Sequence, residues 1–182
     1  MRQKLNERQR CLYLDSPPMV AGMRSYLAAA GVDVAREVGK GSLVLSSDQG
    51  HLVNGHFDAD RMLQSLEDAV HEALRDGYQG LWATGDMTWE FDSKKEFDKL
   101  LDYEWKLEDL FRRQPCLSGI CQYHIDTLPQ DAVRSGLLAH PSIFINETLS
   151  RLNPYYLTRE TYSAKTTSLA LEDLMGTFVR AG

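Results

Sequence analysis

Asp86 and Glu90 lie four residues apart just beyond an apolar run, Gly80-Leu81-Trp82-Ala83-Thr84. Two carboxylates so placed could divide acid and base work or hold a hard divalent cation. Neither role has a partner in the sequence, because no placed base or nucleophile accompanies them, and loop carboxylates are commonly just solvated. Cys116, Cys121 and His124 offer softer ligands. Cys-x4-Cys-x2-His supplies three donors and matches no standard structural zinc spacing. If the segment is a strand, Cys116 and Cys121 have opposite parity and point to opposite faces. No metal, no cofactor and no catalytic residue is therefore expected.

The absent motifs narrow the chemistry further. The sequence holds no Gly-x4-Gly-Lys-Ser/Thr phosphate loop, no Gly-x-Gly-x-x-Gly fingerprint and no Gly-x-Ser-x-Gly nucleophile elbow. Nucleotide hydrolysis, dinucleotide redox chemistry and serine hydrolysis thus lose their usual signatures. The histidines add no catalytic group. His71 shares a helix face with Gln64, Glu67 and Asp68, His51 and His56 flank a turn and are expected to face solvent, and His140 precedes Pro141.

The elements that must position these residues alternate. Short apolar runs at 11–14, 43–45, 80–84 and 117–123 read as strands, with 142–146 a fifth candidate. Helices are predicted from Ser16-Pro17 to Ala30, from the Asp58 cap to Gly77, from the Ser93/Glu96 capping box to Pro115, and over 129–139. Phe57 and Met62 are placed to form a hydrophobic staple, and Asn54-Gly55 is a turn dipeptide. Leu169 to Val179 could form a last amphipathic helix or a linker. Strand–helix alternation predicts βαβ units and a mostly parallel sheet with helices on both faces. All such strands end at one edge. Asp15, Ser16, Ser46 to Asp48, Thr84, Asp86, Glu90, Tyr123, His124 and Asp126 gather there as a polar rim, with Trp89 and Tyr123 as aromatic walls. A few polar groups beside aromatics suit a small-molecule pocket, and equally suit ordinary capping of strands and helices.

Composition sets the outer bounds. With 182 residues and 43% hydrophobic content, the chain suffices for one domain with a sizeable core. Its 20 Lys plus Arg against 26 Asp plus Glu give a formal charge of −6, poorly suited to binding a phosphate backbone. No apolar run approaches the roughly 20 residues of a membrane span. Three cysteines in apolar runs fit reduced thiols in a cytoplasmic protein.

Arg10-Cys11-Leu12-Tyr13-Leu14, the stretch Gly80 to Trp89 and Cys121-Gln122-Tyr123 together resemble the MEDS family, the methanogen/methylotroph, dichloromethane-regulator sensory domain. His140-Pro141 and Asn153-Pro154-Tyr155-Tyr156 fit the same pattern. The resemblance implies a three-layer α/β fold of the RecA/KaiC type lacking a Walker A loop. It divides the chain into a polar extension over 1–9, a sensory domain over 10–150 and a C-terminal segment or linker over 151–182. It implies a non-enzymatic sensor, in a bacterial or archaeal signalling or transcription-regulatory protein, of a small molecule such as a hydrocarbon derivative. The ligand-binding residues implied are Asp15, Thr84, Asp86, Trp89, Gln122 and Tyr123. A signalling partner or output domain is expected, with a homodimer as one option, and neither direct nucleic-acid nor membrane contact.

The chain departs from the family at Asp86, where Glu is usual, and at His124, where Asp or Asn is common. It also reads as N-terminally short, because a further strand and helix usually precede the position of Cys11. An apolar surface left uncovered there would favour the alternative reading, a degenerate ATPase-like protein-interaction module. The remaining alternative is a metal-dependent enzyme using Asp15, Asp86 and Glu90.

Overall fold

A computed structural model of the chain describes residues 1–90, 99–146, 149–162, 173 and 175–176. They fall into two compact units, Met1–Lys95 with Leu110–His124 and Glu96–Asp109 with Ile125–Gly182. In chain order the first unit holds α1 (Arg2–Asn6), β1 (Arg10–Leu14), α2 (Pro17–Ala29), α3 (Val34–Gly39), β2 (Leu43–Ser46), β3 (Leu52–Val53), β4 (His56–Phe57), α4 (Ala59–Arg75), β5 (Leu81–Asp86) and α5 (Met87–Glu90). The helix α6 (Leu100–Arg113) crosses the boundary and leads to β6 (Leu117–Gln122).

Four strands pair in the order β2-β1-β5-β6, all parallel, so the fold is α/β with helices flanking a parallel sheet. Cys11 sits opposite Leu43 on one side and Trp82 on the other. On that face Cys11 and Leu43 cluster with Leu27 of α2 and Val34 of α3, and Met23, Leu45 and Trp82 pack around them. The helix α4 packs against β5, its buried Met62, Leu66, Val70 and Ala73 recurring at helical spacing.

Local chemistry explains the boundaries. The Asp58 carboxylate accepts from the Arg61 N–H at 3.0 Å and caps α4, while Phe57 and Met62 are both buried beside it. Asn54 and Gly55, with φ of 53° and 75°, turn β3 into β4. Arg10, 8% exposed, anchors the start of β1. Its Nε donates to the Gly41 carbonyl at 2.8 Å, its Nη2 bonds the Asp76 carboxylate, and its guanidinium lies 4.9 Å from the Tyr78 ring centroid. Gly119 lies where β5 and β6 approach closely: a Cβ there would stand 2.4 Å from the Ala83 carbonyl oxygen.

The second unit contains Leu100–Asp109 of α6, then α7 (Gln130–Ala139), β7 (Ser142–Asn146), β8 (Leu149–Leu152) and α8 (Arg159–Tyr162). Asn153 closes the end of α7. Its amide nitrogen bonds the carbonyls of Leu137 and of His140, the latter at 2.7 Å, and its oxygen accepts from the Tyr155 N–H at 2.9 Å. Trp105 donates through Nε1 to the Leu157 carbonyl at 3.2 Å and meets the Tyr162 ring edge-on at 4.9 Å.

Several sequence expectations change. Residues 142–146 do form a strand, but it pairs antiparallel with β8 in a separate sheet instead of becoming a fifth parallel strand. Two residues separate β7 from β8, enough for a hairpin and far too few for a parallel crossover. The segment read as a polar extension contains α1, whose Leu5 packs on the core cluster beside Met1. The helix α3, capped by Asp33, lay unrecognised in the segment after Gly31. His51, expected at the surface, is 4% exposed with its ring edge-on to Phe57 at 5.9 Å. The Ser93/Glu96 capping box lies outside the described residues, as does most of the segment from Leu169 to Val179. Among the described residues no helix is long and apolar enough to cross a membrane.

Candidate functional site

The strand order reverses direction between β1 and β5. From β1 the chain moves to β2 on one side, and from β5 to β6 on the other. At such a switch point the connections diverge and leave a crevice beyond the carboxyl ends of the two central strands, the usual ligand position in open α/β sheets. Tyr13 lies near the end of β1 and Asp15 just beyond it, and Thr84 and Asp86 lie at the end of β5.

Alternate residues of a strand share a face. The register sets Tyr13 opposite Thr84, Thr84 opposite Ile120, and Asp86 opposite Gln122. Tyr13, Asp15, Thr84, Asp86 and Gln122 therefore form a polar group on one face at the carboxyl edge. Trp82 and Ile120 continue that face toward the strand interiors.

Hydrogen bonds fix this group. Asp15 is fully buried; its Oδ2 accepts the Tyr13 hydroxyl at 2.6 Å and its Oδ1 accepts the Ser16 N–H at 2.6 Å. Thr84 donates its hydroxyl to the Ile120 carbonyl at 2.7 Å and accepts from Gln122 Nε2 at 2.8 Å, which ties β5 to β6. Asp86, 9% exposed, accepts the Thr88 N–H on Oδ1 at 2.9 Å and so starts the single turn of α5. His124 Nε2 lies 4.0 Å from the same oxygen. Burial pushes the Tyr13 phenol up, and the Asp15 hydrogen bond with the charges of Asp15 and Asp86 pushes it further. Tyr13 is thus a fixed donor. Among the described residues Asp86 Oδ2 and Gln122 Oε1 take no hydrogen bond, which leaves two acceptors at adjacent register positions.

Of the six residues singled out from sequence, the structure gathers Asp15, Thr84, Asp86 and Gln122 into this polar group. Tyr123 follows the end of β6 and is partly buried. Trp89 lies in α5, and its side chain falls outside the described residues, as does that of Glu90. Tyr13 is the residue that sequence reasoning missed. Its signal was available: a tyrosine near a strand's end, two residues before an aspartate that continues the extended chain, falls on that aspartate's face. Cys11, Cys116 and Cys121 are free thiols, and burial raises that of Cys11 to about 11.

A family model described as MEDS, the MEthanogen/methylotroph, DcmR Sensory domain, matches residues 1–141. No curated protein and no solved structure matches the chain.

Proposed function

The chain belongs to the MEDS sensory-domain family, and from that membership we propose that the crevice between β1 and β5 binds a small molecule as the input of a signalling protein. One observation carries the reading: a prearranged polar group at the switch point with two acceptors, Asp86 Oδ2 and Gln122 Oε1, that take no hydrogen bond among the described residues. Open acceptors call for a donor, so the ligand class is a small hydrocarbon derivative bearing a hydroxyl or amino group. Its apolar body would lie along Ile120 and Trp82 on the same face. We read the site as binding without catalysis. Thr84 donates to a backbone carbonyl, which cannot take its proton, and burial with the charges of Asp15 and Asp86 holds the Tyr13 proton on its phenol, so neither hydroxyl is an activated nucleophile. Ligand binding would pass its effect to an output partner or domain through differential affinity for two states.

The test is a thermal-shift and tryptophan-fluorescence screen over short-chain alcohols and amines. A true ligand should raise the melting temperature saturably, and the Asp86→Ala, Gln122→Leu double variant should lose the response. Silence across the whole panel, or an undiminished response in the variant, would refute the reading.

The outward face of α2 favours a second role, contact with another copy of the chain. Met19 and Tyr26 are 45% and 64% exposed there, and Arg24 is the helix's one charged residue. The outward face of α4, by contrast, carries Asp60, Arg61, Asp68, Glu72 and Arg75. A low-charge face can meet its own copy with little like-charge repulsion. Sedimentation equilibrium should find a dimer that Tyr26→Glu weakens; a monomer at every concentration rejects this role.

A further inference from the structure

A cavity of about 570 Å³ opens where α1 crosses the link between α2 and α3, lined by Arg2, Leu5, Val32, Asp33, Arg36 and Glu37 among others. It is remote in sequence from the crevice residues. Because α2 starts beside the carboxyl end of β1, the α2–α3 link lies toward the other end of the sheet. Its volume falls in the range of small-ligand sites.

Among the described residues the two arginines in its lining form no ion pair. Asp33 uses Oδ1 to accept the Arg36 backbone N–H at 3.1 Å. Glu37 accepts Lys40 Nζ at 3.1 Å and the Ser42 hydroxyl at 2.5 Å, and the Ser42 bond leads the contacts that hold its carboxyl below the usual range. Glu37 is thus held mainly by Ser42 and Lys40, with the Arg36 charge a lesser contribution, and Asp33 by the Arg36 backbone. Arg2 donates Nη1 to the Ala30 carbonyl at 3.1 Å and keeps the rest of its donor fork. The Arg36 guanidinium makes no hydrogen bond or ion pair among the described residues. Arg2 and Arg36 share this lining with Asp33 and Glu37, yet among the described residues neither guanidinium is within ion-pair distance of a carboxylate. A small oxyanion there would meet the planar fork geometry that guanidinium offers to carboxylate and phosphate.

We infer that this cavity is a second binding site, taking a small oxyanion between Arg2 and Arg36 with any apolar remainder against Leu5 and Val32. Binding ties α1 to α3, so it stabilises the first unit as well as reporting an anionic metabolite. The site shares no residue with the β1–β5 crevice, and either can fail without the other.

Inorganic phosphate, acetate and benzoate, each titrated at constant ionic strength balanced with chloride, test the inference by thermal melting and by the amide resonances of Gly31 and Val32. The expected result is a saturable rise in melting temperature with movement of both resonances. A response to phosphate alone assigns phosphate esters as the ligand class, and a response to acetate or benzoate alone assigns organic acids. Arg2→Ala and Arg36→Ala should each weaken binding about ten-fold or more. Arg24→Ala, on α2 outside the cavity, should leave it intact. The inference is overturned if no anion produces a saturable shift beyond chloride, or if the Arg2→Ala, Arg36→Ala double variant binds as well as the parent.

Discussion

His140 should make the second unit more stable at pH 6 than at pH 9.5. The imidazole donates through Nδ1 to the Gly136 carbonyl at 2.7 Å, and its Nε2 lies 3.3 Å from Oε2 of Glu104, whose side chain is 1% exposed. Burial alone would push His140 down. The Glu104 charge and hydrogen bond, with the Gly136 carbonyl and the charge of Glu108, overcome it and raise the group from 6.5 to about 9. A group whose folded value lies above its unfolded value stabilises the fold fully below the unfolded pKa. That stability is lost as pH climbs through the folded one, so the window runs from 6.5 to about 9. At about 1.4 kcal/mol per pKa unit, the swing across it is about 3 kcal/mol. Trp105 reports on this unit, so urea unfolding followed by its fluorescence in a Trp82→Phe, Trp89→Phe background reads the effect directly. His140→Gln should abolish the swing and, by leaving Glu104 buried without its cation, cost about 3 kcal/mol at pH 6. Flat stability between pH 6.5 and 9, or a His140 ring that titrates below 6.5 by NMR, would refute this coupling.

Three further outcomes follow from the first unit. Tyr13→Phe removes the donor to a fully buried carboxylate oxygen and should lower stability by about 1–3 kcal/mol, read as a lower urea midpoint. Gly119→Ala forces a Cβ to 2.4 Å from a backbone oxygen of the neighbouring strand. It should cost about 1–3 kcal/mol, and amide exchange should quicken along β5 and β6. Cys11, fully buried and raised to about 11, should resist iodoacetamide at pH 8 while the partly exposed Cys116 and Cys121 are modified first, as peptide mass mapping can resolve.

The parallel sheet was legible because its strands advertise themselves twice. Leu43-Val44-Leu45 and Leu81-Trp82-Ala83 are short apolar runs, and each is bounded by a capped helix or a glycine that cannot continue one. Gly31 and Gly77, both at φ of 84°, end α2 and α4 where the sequence places them. The short elements were illegible for a physical reason. The five residues of α1 and six of α3 are too few for a periodic signal, and they are held by tertiary contacts of Leu5 and Val34 with the core. The strand at 142–146 was visible but its partner was not, because pairing direction depends on the loop that follows and not on the strand's own residues.

The same distinction governs the crevice. That Asp15, Thr84, Asp86 and Gln122 belong to one edge follows from where four apolar runs stop, which sequence can show. Which of them touch depends on register and strand order, which it cannot. Thr84 meets Gln122 only because β5 and β6 are neighbours paired Thr84 to Ile120 and Asp86 to Gln122. A one-residue slip would turn Gln122 to the opposite face and leave Thr84 without its amide donor. Asp15 shows the converse case. Read from sequence as part of the polar rim, it is fully buried there, and Tyr13, two residues earlier, supplies a donor to it. Asp15 therefore serves as a fixed support, and Asp86 and Gln122 carry the acceptors left open among the described residues. Substituting Asp15 should then act on stability before it acts on ligand affinity, whereas substituting Gln122 should do the reverse.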